Sequence, residues 1–385
     1  MFTSHIMHFI YPRIGIVGAV ALLVTACATG PEAPPAFDAG VSLESQLDTF
    51  FQADRATSKR MKSVQTLALT GCNVLFATQT SASASTGGGL FSEAGNTRRA
   101  EAKVSQIYTL EGLSDTDMQT LADDICADAE QRLARAGYVV KPHAEVRGSA
   151  HHAALVASGK AAPFDHSIGS GGAKQSYRLF TRSGEAVHGA AYLGTAGGLA
   201  QAFKSAGGNA SWNHETRLMQ ELGVDAVHLD VLVDFAAMES SGNASATQLA
   251  STNSASVSGS ARLAITGQMS ITPLADLKCW ERFGKQECGP LHDAAKVTSK
   301  LPVSNNEAFY DSLVDTTTTG DRVAAGFTKA LSVVAALGGV GGVSSTDITR
   351  YTVTVSPATY GDVTNRATRQ FLDMAVLMAK REGGQ

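Results

Sequence analysis

Glu221-Leu222-Gly223-Val224-Asp225-Ala226-Val227-His228-Leu229-Asp230-Val231-Leu232-Val233-Asp234-Phe235 is the stretch whose reading decides the fold. Leu218 to Leu222 complete a helix that stops at Gly223, since glycine readily takes the left-handed conformation a helix end requires. A strand follows from Val224 to Met238. Within it Val227, Leu229, Val231, Val233 and Phe235 alternate with His228, Asp230 and Asp234. A period of two separates an apolar face from an ionisable one. His228, Asp230 and Asp234 are the candidate polar face, and its expected setting is a solvated side of a sheet.

A second alternating run spans Ser254 to Ile271, with Ala255, Val257, Ala261, Leu263, Ile265, Met269 and Ile271 on odd positions and mainly serine on even ones. At about 3.3 Å per residue, such a run extends roughly 60 Å. Joined through the polar segment 239–253, the two runs predict a long β-hairpin, longer than an ordinary small domain uses.

Upstream, Leu43, Leu47, Phe50 and Phe51 have helical spacing, fading into a basic patch at 55–62. Residues 63–77 read as strand, and 78–89 as a loop of Ser, Thr, Ala and Gly. Gly87 to Gly89 lack the following Gly-Lys-Ser/Thr of a phosphate loop. Ser114 and Asp117 form a capping box for a helix in which Met118, Leu121, Ala122, Ile125, Ala129 and Leu133 recur at three- and four-residue intervals. Gly137 ends that helix. Val104, Ile107 and Tyr108 before it, and Tyr138 to Val140 after it, read as strands. Downstream, residues 330–346 predict a packed helix and loop, Tyr351 to Val355 a last strand, and Thr364 to Lys380 an amphipathic helix closing near Gly383. The fold class is α+β, a mixed sheet with flanking helices and the long hairpin.

Chemistry is less legible. Gly-x-Ser-x-Gly, Ser-x-x-Lys, His-Glu-x-x-His and Gly-x-x-x-x-Gly-Lys are all absent from the 385 residues. Asp165-His166-Ser167 cannot form a relay, because triad members act across a fold. The adjacent His151 and His152 point apart on a helix or strand. No cofactor and no metal ligand set is therefore expected, and a non-enzymatic role is.

The opening residues show where the protein works. Ile14 to Ala26 runs uncharged behind Arg13, the pattern of a secretory signal, and is too short for a stable span. Val24-Thr25-Ala26-Cys27 resembles the lipobox of bacterial lipoproteins. That resemblance implies a diacylglyceryl thioether on Cys27, cleavage before it, and acylation of the new amino group. At roughly 0.8 kcal/mol per buried methylene, two or three acyl chains make a lasting anchor. Ala28 in place of the inner-membrane retention Asp implies the outer membrane, periplasmic side. Residues 1–26 are then a signal peptide, 27–41 a proline-containing tether, and 42–385 the body, with a division expected near 143–210.

Residues 1–26 carry Arg13 as their only charged side chain, so the remaining 359 residues hold 30 basic against 35 acidic groups. A net charge of −5 argues against nucleic acid as a partner. With Cys27 lipidated, Cys72, Cys126, Cys279 and Cys288 remain, an even number suited to two disulfides in an oxidising periplasm. Three pairings are possible. Gly284-Lys285 can turn the segment between Cys279 and Cys288 into a stapled hairpin, which leaves Cys72 with Cys126.

The strand–helix–Gly–strand unit around Leu113 to Val140 and the Glu221 to Val227 step resemble the mixed α/β domain of envelope lipoproteins of the curli-secretion CsgG type and of the TolB amino-terminal domain. The resemblance covers residues 64–238. It implies partnership with an envelope protein or self-assembly. In the CsgG type, lipidated subunits form a ring and each contributes β-hairpins to an outer-membrane barrel. The segment from Val224 to Ile271 would be the counterpart, although it has few large lipid-facing side chains and no aromatic girdle.

Overall fold

Two long antiparallel strands, Asp225–Asn243 and Ser254–Thr272, form the hairpin around which the layers are arranged. In a computed structural model of the chain, the residues described are 35–85, 101–170, 173–188, 211–243, 254–282, 284–304, 307–318, 321 and 344–384. Residues Ala36–Gln385 form one compact unit.

In chain order the strands are β1 Phe51–Ala53, β2 Thr66–Ser85, β3 Glu101–Glu111, β4 Val139–Val140, β5 Lys160–Ala161, β6 Phe164–Ser170, β7 Ala173–Thr181, β8 Ala186–Val187, β9 Asp225–Asn243, β10 Ser254–Thr272, β11 Leu277–Arg282, β12 Lys285–Pro290, β13 Ala295–Ser299, β14 Ser312–Asp315 and β15 Ser344–Thr354. Eleven of them make one mixed sheet, whose main path is β1-β13-β10-β9-β2-β3-β15-β14, with β4 and β7 also on β2 and β6 on β7. β2 runs parallel to β9 and antiparallel to β3 and β7, and β15 runs parallel to β3. The two-stranded pairs β11–β12 and β5–β8 stand apart from it.

Both faces of the sheet centre are covered. On one, Cys72, Val74 and Phe76 of β2 and Leu229, Val231 and Val233 of β9 lie in a core shared with the helices Asp115–Arg135 and Pro357–Gly383. On the other, Ala68 and Ala226 pack with Val146, Leu155, Leu218 and Met219 from the helices His143–Gly148, His152–Ser158 and Ser211–Leu222. Burial of this kind contributes about 25 cal/mol per Å² of apolar surface and holds the layers together.

The local signals near Ser114 and Gly223 are realised closely. Ser114 caps the 21-residue helix through a full capping box with Asp117. Gly223 sits at φ +64°, ending the helix Ser211–Leu222 with only Val224 between it and β9. Disulfides join Cys72 to Cys126 and Cys279 to Cys288, the latter across the β11–β12 register.

Other expectations are corrected. Residues 78–85 continue β2 instead of forming a loop, because β3 and β7 satisfy their backbone groups from both sides. Phe51 begins a strand, and Thr57–Met61 is a short separate helix. β9 continues to Asn243, five residues beyond the expected end of the strand. Residues 344–346 belong to β15, which reaches back far beyond Tyr351. The closing helix starts at Pro357, seven residues early, with proline at its first turn where no backbone donor is required. The expected packed helix at 330–343 lies outside the described residues, as do Gly87 to Gly89. Among the described residues, no helix is long and apolar enough to cross a membrane.

Candidate functional site

The ionisable face of β9 is buried, not solvated. His228 is 8 % and Asp230 2 % exposed, and Asp234 is partly buried. Alternation separates two faces but does not state which one meets water, and here helices cover both. The set is also divided among three surroundings, so it does not act as one acidic strip.

Asp230 accepts a hydrogen bond from Asn73 Nδ2 at 2.7 Å across the β2–β9 pair. Burial pushes its carboxyl up to about 6, partly countered by Asn73 and by the charge of His228. Asp234 accepts the Tyr177 hydroxyl at 2.7 Å and Gln175 Nε2 at 3.3 Å. Burial raises it too to about 6, with Tyr177 opposing. It borders a cleft of about 300 Å³ lined also by Gln175, Met238, Thr266 and Pro302.

His228 belongs to a third setting, which sequence reading did not assemble. The helix Ser211–Leu222 places Glu215 over the start of β9, and Glu215 Oε1 is hydrogen-bonded to His228 Nε2 as an ion pair. Thr70 Oγ1 donates to the same Glu215 oxygen at 2.6 Å. Thr70 stands where the β2–β9 register shifts, between Leu69 and Gly71. Gly71 leaves room for the imidazole: a Cβ there would lie 3.1 Å from His228 Nδ1. From the residue after β8, His188 brings its ring edge-on to His228, centroids 5.2 Å apart.

The electrostatics follow from this packing. Burial raises Glu215 but the imidazolium of His228 outweighs it, so the carboxyl lies below its ordinary value. Burial disfavours charge on His228, and Glu215 more than restores it, so its pKa is raised. His188 is 3 % exposed, and burial pushes it down to about 4, leaving a neutral imidazole at pH 7. Among the described residues neither ring nitrogen makes a hydrogen bond of full geometry, and the Thr70 backbone is its one weak partner.

β8 is flanked by a related arrangement. Glu185, just before it, receives His152 Nε2 at 2.8 Å and lies 3.4 Å from His143 Nε2. Of the histidines singled out by adjacency, His152 is thus oriented inward, while Asp165, His166 and Ser167 sit consecutively on β6. His188 and Glu215 carried no motif. The available signal was geometric: a helix turning at a single glycine folds back over its own strand. Eight residues of helix at about 1.5 Å and five of strand at about 3.3 Å bring Glu215 and His228 to comparable depth.

No family model matches the chain, and neither a curated protein nor a solved structure gives a match.

Proposed function

We propose that the chain is a lipid-anchored outer-membrane lipoprotein, held on the periplasmic side through Cys27, that binds or assembles an envelope component without catalytic turnover. The observation that carries the reading is the common end of its long strands. Given the parallel and antiparallel pairings, β2 ends, β3 begins, β9 ends, β10 begins and β15 begins at the same end of the sheet. Toward that end small and polar side chains dominate: Gln79, Lys103, Ala237, Ser256, Ser258 and Ser260 are exposed, while Thr80, Ala82 and Ala84 of β2 stay buried. A strand-built projection with small, polar side chains is suited to docking against other strands or another copy, through backbone hydrogen bonds more than through an apolar patch. Two disulfides within the body fit an oxidising compartment.

A second reading, a subunit of an oligomeric export channel of the CsgG type, is favoured by one specific feature. β2–β3 and β9–β10 are two hairpins presented together, four strands per chain. One experiment separates the readings. A photo-crosslinking residue at Ser258 in living cells is expected to give a discrete adduct, and the detergent-extracted protein is then imaged by electron microscopy. Adducts between copies together with rings favour the channel, an adduct with a different envelope protein favours the binding role, and no adduct at all contradicts both.

A further inference from the structure

We infer that His188, Glu215 and His228 form a binding site for a borderline divalent cation of the zinc type. Each offers one ligand atom, and the three atoms lie within 4.8 Å of one another. They arrive from three separate elements, the residue after β8, the helix Ser211–Leu222 and β9, so no local periodicity requires them to converge.

Three observations distinguish this cluster from an ordinary charged pair with a histidine alongside. First, Glu215 and His228 already neutralise each other, so the pair gives no reason for a third polar ring. Yet His188 is 3 % exposed, and among the described residues the Thr70 backbone is the one, weak hydrogen-bond partner of its ring, neither nitrogen making a bond of full geometry, so at least one buried ring nitrogen is left for another ligand. With one ring N–H turned to the Thr70 backbone, the lone pair of the other nitrogen is free to bind a cation. Second, the ligands are supported from behind. Thr70 Oγ1 holds the Glu215 carboxylate at 2.6 Å, and the bare backbone of Gly71 seats the His228 ring with Nε2 toward Glu215. Groups that orient ligands in this way are the usual outer layer of a metal site. Third, two imidazoles and one carboxylate make a nitrogen-rich set, which suits zinc and neighbouring transition metals and not magnesium or calcium.

The fit in size is adequate. Ligand bonds of about 2.0–2.2 Å place tetrahedral ligand atoms about 3.4 Å apart, so a spread of up to 4.8 Å closes with a modest turn of the rings. The cation replaces the proton shared by Glu215 and His228. With three protein ligands, a fourth position is left for water.

The test uses the mature chain purified on a histidine-free tag, stripped with chelator, and re-equilibrated with zinc in the presence of excess magnesium. Metal per chain is read after gel filtration, together with the melting temperature. The expected result is one zinc per chain and a melting temperature raised by several degrees, an effect magnesium alone does not produce. His188→Ala, which leaves the Glu215–His228 bond in place, is expected to weaken zinc binding by at least about 100-fold, the upper end of what losing even an outer partner of a metal ligand costs. His152→Ala, altering the neighbouring cluster on Glu185, is expected to bind zinc as the parent does. X-ray absorption at the zinc edge of the unaltered protein needs no variant to fold. It is expected to show two imidazoles and no sulfur. Substoichiometric zinc in the parent, undiminished binding in a folded His188→Ala protein, or sulfur at the metal would each overturn the assignment.

Discussion

Asp234 shows how a single side chain can carry a cost that the fold around it accepts. Its carboxyl rises from an ordinary value near 3.8 to about 6 because burial opposes its charge more than the Tyr177 hydroxyl supports it. The native state therefore holds this proton more tightly than the unfolded chain does. Between about pH 4 and 6 the native state binds more protons than the unfolded state, so stability falls as pH rises through that window. At about 1.4 kcal/mol per pKa unit and with Asp234 only partly buried, the penalty at pH 7.5 is about 2 kcal/mol. Asp234→Asn keeps an acceptor for Tyr177 and removes the charge. Chemical denaturation should find it about 2 kcal/mol more stable than the parent at pH 7.5, with the gap closing by pH 4. A variant less stable than the parent at pH 7.5 would contradict this account of the buried face. Asp230 titrates in the same direction, so the informative quantity is the difference between variant and parent.

The two disulfides constrain different lengths of chain. Cys72–Cys126 spans 54 residues and ties β2 to the capped helix, whereas Cys279–Cys288 spans 9 and staples one hairpin. In the chain-entropy description these correspond to about 4 and about 2.5 kcal/mol. Urea unfolding of Cys72→Ala/Cys126→Ala should therefore show the larger loss, with the short staple's removal felt mainly at β11–β12, and the reverse order would contradict the assignment. Elements of this local kind were legible. The capping box at Ser114, the stop at Gly223, the alternation of β9 and β10 and the hairpin between Cys279 and Cys288 are each encoded within a few residues. The outer half of β2 was not, since Ser, Thr, Ala and Gly from 78 to 85 look like loop until β3 and β7 pair with them. Strand preference there comes from neighbours, which a single segment cannot display. The His188–Glu215–His228 cluster was hidden for the same reason, its members belonging to three elements that meet only in the folded chain.

At the scale of the whole molecule, the sheet divides into a helix-covered centre and an end where β2, β3, β9, β10 and β15 emerge together. The α+β class and the hairpin followed from patterning along the chain. That both sheet faces are covered did not, because coverage depends on helices packed from distant parts of the sequence. The envelope role proposed for that end rests on the acylation of Cys27. The most direct measurement is metabolic labelling of producing cells with radioactive palmitate, comparing the parent with Cys27→Ser in fractionated membranes. The account predicts label on the parent in the outer-membrane fraction, and neither label nor membrane retention for Cys27→Ser. An unlabelled parent, or a Cys27→Ser protein that stays with the membrane as the parent does, would contradict it.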